Sequence, residues 1–399
     1  MTRLRILAAA ALACGLLPAQ DLAVRAGTLL DGDGKIYKNV LLLISKGRIL
    51  ARGRNLALPG KIPLVDASRL WVTPALVECA SSLGLPQAGM NEEGREVTPA
   101  VRVADALDLT DPGFPEALAS GVTTLCVLPG TRNVISGLAA IVRFTGKKGA
   151  PRITDAEAAL AAAMGRDPVA GNVRVPTSLY FRRPTTRMGT VWVFRKAFYD
   201  AKAAPPDRAD PGTRILKKAL AGELPLRILA RPEFDIRTAL NLAAEFGLRP
   251  AALDGAQEAW RAAAPLRAAG VPVAAAPPSR LSRADMVEQE WNFPARTAAA
   301  GIPLALTSGR TAAGRPLIDQ ARTAFRLGLD RAAAFRAVTS VPARILGMEK
   351  EIGSLEKGRK ADLVLWKGDP FGPAGKVTCV YCEGRLVHGN PPSRKEGSK

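Results

Sequence analysis

Two textures alternate along the chain. Residues 22–25 and 40–44 are short alternating runs, broken by Asp31-Gly32-Asp33-Gly34 and Lys46-Gly47. Asp-Gly and Lys-Gly pairs between short apolar runs are hairpin signals. The same texture returns only near the other end, in residues 361–366, 377–382 and 383–387. Neither end holds enough strands for an independent sheet. The pattern therefore predicts one composite β-sandwich built from residues 20–72 and 348–392, with a disordered tail over 393–399.

Between these ends, apolar strand-like runs alternate with helical periodicity. The predicted strands are 73–79, 122–128, 138–144, 225–230, 250–253, 271–275 and 303–306. The predicted helices are 154–164, 235–246, 256–268, 317–327 and 331–346, the first opening with a capping box from Thr154 to Glu157. Alternation of this kind builds a parallel sheet closed by helices, and over residues 73–347 its extent suits an α/β fold of the (β/α)8 TIM-barrel type. Residues 165–222, with Pro168, Pro176, Pro184, Pro205, Pro206 and Pro211, break the rhythm and predict a long excursion.

Composition narrows the class further. Apolar residues make up 47% of the 399 residues while aromatics make up 5%, which fits helix-rich α/β packing with small interhelical contacts. The formal charge of +20 favours polyanions. The Lys and Arg residues are nevertheless spread along the chain, without a basic helix or interleaved aromatic platform, so no nucleic-acid partner is expected. Residues 1–19 read as a cleaved signal peptide. Arg3 and Arg5 lead an apolar stretch over 6–17, and Leu17-Pro18-Ala19 gives a small-residue exit before Gln20. The expected location is thus periplasmic or extracellular, and no other segment has the ~18 apolar residues of a transmembrane span.

The chain has one histidine, His388, at the end of the last predicted strand. Of the cysteines beyond the leader, Cys79 and Cys126 stand alone. Cys379 and Cys382 share an apparent strand, where residues three apart face opposite ways, so they read as structural rather than as a redox or zinc pair.

Two stretches carry a resemblance. Thr339-Ser340-Val341-Pro342-Ala343-Arg344-Ile345-Leu346-Gly347, followed by Ile352-Gly353-Ser354-Leu355-Glu356-Lys357-Gly358-Arg359-Lys360-Ala361-Asp362-Leu363-Val364, resembles the closing signature of the amidohydrolase superfamily. Val72-Thr73-Pro74-Ala75-Leu76-Val77-Glu78 is similar to its first barrel strand. Residues 129–137, 186–189 and 235–240 resemble segments of exported, imidazolonepropionase-like members. The resemblance implies metal-dependent hydrolysis of C–N bonds such as amides and cyclic imides, with zinc-bound hydroxide as nucleophile and an aspartate as proton shuttle.

Carried over residue by residue, the ligand set is missing. The Asp-x-His-x-His pattern of the first strand falls on Glu78, Cys79, Ala80, Ser81 and Ser82. The later histidines fall on Leu229 and Asp254, and the shuttle aspartate on Gly309, with Ser308 as the alternative. The degenerate ligand positions are thus Ala80, Ser82, Leu229, Asp254 and Gly309, and no zinc or other cofactor is expected. Glu78 and Asp254 fall short of the roughly six oxygens that magnesium or calcium needs. As a buried carboxylate pair they would retain a proton or seek an arginine, with Arg231 or Arg310 in reach. Ser82, Ser308 and Cys79 lack a histidine base and read as packing residues.

The pocket that remains would draw on Glu78, Arg132, Asn133, Arg187, Arg231, Asp254, Ser308 and Arg310. The sequence thus points to a pseudoenzyme serving as a binding protein for a small molecule in the old barrel pocket, or as a subunit in a homo- or hetero-oligomer with an active relative. Two other readings stand beside it: a hydrolase with an atypical site, and a basic scaffold for envelope polyanions. Terminal sequencing of the protein from its native host should find a mature chain beginning near Gln20; an intact Met1 would contradict export by cleavage.

Overall fold

The computed structural model describes residues 21–58, 62–86, 90–170, 172, 182–205, 209–275, 290–308, 316–392 and 394–395. The expected leader, Gly309, Arg310 and most of the expected tail lie outside the described residues. The chain begins with β1 (Leu22–Leu30), β2 (Ile36–Ser45), β3 (Arg48–Gly53) and β4 (Leu64–Pro74). The hairpin signals are where the sequence put them. Gly34 N donates to Asp31 O at 2.8 Å in the first turn, and Lys46 and Gly47 both adopt positive φ in the second, 49° and 76°.

The central region contributes β5 (Leu76–Ser81), α1 (Gly113–Ala119), β6 (Val122–Val127), β7 (Ile135–Arg143), β8 (Arg152–Ala163), α2 (Arg187–Ala203), α3 (Pro211–Leu220), β9 (Leu226–Leu229) and α4 (Glu233–Phe246). It continues through β10 (Pro250–Asp254), α5 (Ala263–Ala269), β11 (Val273–Ala275), α6 (Phe293–Ala299), β12 (Leu304–Leu306), α7 (Leu317–Arg326), α8 (Arg331–Arg336) and α9 (Ser340–Ile345). The chain returns to the first sheet as β13 (Leu363–Lys367), β14 (Lys376–Cys382), β15 (Arg385–Gly389) and β16 (Arg394–Lys395). Among its described residues, the expected excursion over 165–222 holds the helices α2 and α3. Thr186 caps α2 by accepting from Gly189 N at 3.0 Å, and Asp210 caps α3 by accepting from the Gly212 and Thr213 amides.

One sheet joins both chain ends in the order β15-β14-β13-β4-β1-β2-β3, and β16 adds to β4. Residues 394–395 of the expected tail are therefore a strand. β4 is the shared element: it pairs in parallel with β1 and antiparallel with β13. Thr73 and Pro74 end this strand instead of opening the barrel strand, which starts at Leu76. Cys379 packs in this sheet's own core beside Tyr381, and Cys382 lies near Arg143 of the barrel, so the two thiols face apart.

The second sheet is the barrel, in the order β5-β6-β7-β8-β9-β10-β11-β12. It departs from strict alternation at one place, since β7 runs antiparallel to both β6 and β8. β8 is also the main correction to the sequence reading, which had a helix over 154–164. Alanine favours helix, but here Leu160, Ala161, Ala162 and Ala163 pair with β9 on one side while the strand pairs with β7 on the other, and pairing on both edges overrides local propensity. The helix expected over 331–346 is likewise split into α8 and α9. The intervening backbone fills the seam between the first and last barrel strands: Leu306 N donates to Ala337 O at 2.8 Å and Val77 N to Val338 O at 3.0 Å.

Inside the barrel the strands present small side chains, Cys79, Ala252, Ala274 and Ala305, capped from below by Ile345 of α9. The sheet and the barrel are clamped by Arg143 at the end of β7, 1% exposed. Its guanidinium donates to Asp362 at 2.6 Å, to Glu383 at 2.7 Å and to Thr124 Oγ1 at 3.3 Å. Removing one member of a buried pair leaves the other charge uncompensated. Arg143→Met should therefore lower stability to urea by ~3–5 kcal/mol, and a loss below ~1 kcal/mol would show that the clamp contributes little.

Candidate functional site

The C-terminal ends of parallel strands are where barrels of this kind place their chemistry. At that mouth β5 carries a bulge: Glu78 is in register with Leu125 and Ser81 with Val127, so two residues, Cys79 and Ala80, stand opposite one, Cys126. Cys79 lies against Ala252, Ala274 and Ala305 from across the barrel, and Ala80 against Cys126, Leu128 and Ala139. Leu229 and Asp254, on β9 and β10, are register partners.

The group that organises this space is Arg227, which was not among the expected site residues. It is 1% exposed. From β9 its Nη2 donates to Asp254 Oδ1 at 2.5 Å and its Nη1 to Cys79 O at 2.8 Å, spanning the interior to β5. Arg227 thus takes the role expected of Arg231 or Arg310. Arg231 turns to another carboxylate, giving a two-pronged contact to Asp167 at 2.5 and 2.8 Å. Asp167 also accepts from Thr131 Oγ1 at 2.7 Å. Loops following β6, β8 and β9 are tied together in this way.

Glu78 is 2% exposed. Ser308 N donates to its Oε2 at 2.7 Å and Ala80 N to its Oε1 at 3.2 Å. Burial pushes its carboxyl up to about 7, against these donors and the nearby Arg227, which hold it down. The same burial raises the Cys79 thiol far above its ordinary value, so it stays protonated and inert.

The other expected pocket residues are not gathered at this point. Asn133 Nδ2 donates to Glu92 O and Thr98 Oγ1, both at 2.8 Å, and its oxygen accepts from Arg182. Arg132 N donates to Asn91 Oδ1 at 2.9 Å, and its side chain lies 3.7 Å from Glu93. These two residues hold the loop over 90–98 to the end of β6. Arg187, at the start of α2, pairs with Asp235 at 3.1 Å and stacks over Phe234 at 4.7 Å. Its partner needs Gly165, where a Cβ would come 2.2 Å from Asp235 Oδ2. The similar segments 186–189 and 235–240 therefore meet at the rim, as a cap and an ion pair. Ser82 is buried at the end of β5, and His388 is exposed on β15.

This arrangement does not fit zinc. Structural and catalytic zinc sites use three or four imidazole, thiolate or carboxylate donors at one point, and among the described residues no group of three or more such side chains converges. Ala80 and Leu229 offer no lone pair, Asp254 is committed to a guanidinium, and Glu78 is engaged by two backbone amides.

Comparison with known proteins agrees with the architecture. The sequence model of the amidohydrolase family matches residues 262–387. The crystal structure of an amidohydrolase from Thermotoga maritima superposes with a TM-score of 0.83 at 27% identity, over 92% of this chain and 100% of that one. Amidohydrolase tasK of Hapsidospora irregularis is 25% identical over 388 residues, 82% of this chain. A dihydroorotase of Citrifermentans bemidjiense is 30% identical over 119 residues, 30% of this chain. The chain spans 37% of the length of the first of these curated relatives and 24% of the second. The fold shared along nearly the whole chain and the sequence match over its C-terminal part both support placing this protein in the amidohydrolase superfamily.

Proposed function

We propose that this chain is a non-catalytic member of its superfamily, with the barrel mouth held by an internal guanidinium–carboxylate pair where active relatives by resemblance hold zinc. The observation that carries this reading is Arg227, buried across the barrel and bonded to Asp254 and the Cys79 carbonyl. The carboxylate of Asp254 is thus already met by the chain's own cation, and a metal would have to displace that guanidinium to reach it. The imidazolonepropionase-like, exported character belongs to the same proposal, as does a role in binding a small molecule or a partner subunit. Neither zinc nor another cofactor is part of it.

The competing hydrolase reading needs a general base. Glu78 is the carboxylate at hand, yet its two amide donors hold it in place, and no described histidine or free thiolate stands beside it. Purified protein supplied with zinc, manganese or nickel should show no turnover of N-acyl amino acids or cyclic imides above buffer. Turnover that disappears in Glu78→Gln would overturn the proposal.

The same carboxyl gives a pH prediction. Its ordinary value is 4.5 and its folded value about 7, so between these pH values the folded chain keeps a proton that the unfolded chain releases. The stabilising contribution is complete below the unfolded value and disappears as pH rises through the folded one. Its size is on the order of 3 kcal/mol. Urea unfolding at a series of pH values should show Glu78→Gln gaining on the natural chain from pH 4.5 to 7; parallel curves would mean that Glu78 titrates normally.

A further inference from the structure

The barrel end opposite the mouth contains a cleft that neither the mouth's chemistry nor the clamp explains. Its volume is 530 Å³, within the ~300–1,000 Å³ of small-molecule sites. Residues 302–304 lead into β12 and line it together with Asp33 of the β1–β2 turn, α8, α9 and the segment after α9. It therefore opens where the first sheet meets the N-terminal ends of the barrel strands. Much of its wall comes from the closing signature over 339–364, whose resemblance identified the family but assigned these side chains no chemistry.

Three polar groups on this wall have no protein partner among the described residues. Ser354 is 7% exposed, and its Oγ is buried without a hydrogen-bond partner. Glu349 Oε2 is also buried and unpartnered. Arg344 stands exposed on α9 and enters no ion pair or side-chain hydrogen bond among the described residues. Arg336, beside it, spends one donor on Asp33 O at 3.0 Å. Arg359 and Glu356, by contrast, satisfy each other at 2.8 Å. A buried carboxylate oxygen and a buried hydroxyl left unpaired are costly. Here a carboxylate and two guanidinium groups line one cleft without pairing with each other, so the space between them fits a molecule carrying both charges.

We propose that this cleft binds a small zwitterion of the α-amino acid class, a free amino acid or short peptide. Its carboxylate lies on Arg344 and Arg336, its ammonium on Glu349, and Ser354 Oγ bonds a neighbouring polar atom. Guanidinium groups suit a carboxylate because they present paired donors in a plane. The site is separate from the mouth and does not depend on whether the mouth is catalytic.

Isothermal titration calorimetry on the full chain tests this with L-alanyl-L-alanine and L-alanine as probes. N-acetyl-L-alanine, lacking the ammonium, and L-alaninamide, lacking the carboxylate, serve as controls. The zwitterions should bind saturably, and each control should bind at least about tenfold more weakly. Arg344→Gln and Glu349→Gln should each cost the zwitterions about tenfold, while Glu349→Gln leaves the N-acetyl control unchanged. Absence of saturable binding by both zwitterions up to ~10 mM would overturn the proposal. So would binding that both substitutions leave intact, which would place the ligand elsewhere, or equal binding of the blocked controls to the natural chain.

Discussion

The barrel interior depends on one buried contact, the Arg227 guanidinium between Asp254 and the Cys79 carbonyl. A full positive charge in so buried a space is tolerable only with its partners in place, since desolvation of a lone ion costs several kcal/mol. The contact fixes β5, β9 and β10 relative to one another across the interior. It also meets the charge of Asp254 from a residue on the neighbouring strand. Glu78, which has no such direct partner, is pushed toward its neutral form.

What holds this barrel together and what a metal hydrolase would need lie in different places. What the barrel needs for stability lies in its outer core, in the seam closed by residues 337–338, and in the Arg143 clamp to the first sheet. What a metal hydrolase needs lies at a few strand-end positions, and those can change without disturbing the rest. The strand-end loops are tied by polar contacts of their own, with Thr131, Asp167 and Arg231 linking three of them.

Much of the architecture was legible in the sequence, because it rests on local signals. The Lys46-Gly47 turn requires positive φ at both residues, and the apolar runs on either side fix which elements it joins. The strand β8 was not legible, because Ala158 to Ala163 has helical propensity and its strand character comes only from partners far along the chain. Arg143 and Asp362 are similarly remote from one another, 219 residues apart. Arg227 left a faint signal. It stands two residues before Leu229 on one strand, so the placement that aimed Leu229 at the mouth aimed Arg227 inward as well. A lone arginine in a four-residue apolar run otherwise reads as an exposed position.

The central claim is that the chain's own cation, and no bound metal, holds the barrel mouth. Thermal unfolding before and after exhaustive treatment with a strong chelator, with metal analysis of both samples, tests it most directly. The account predicts less than a stoichiometric equivalent of zinc, manganese or nickel in the untreated protein and an unchanged melting temperature after chelation. A tightly held equivalent whose removal lowers the melting temperature would contradict it.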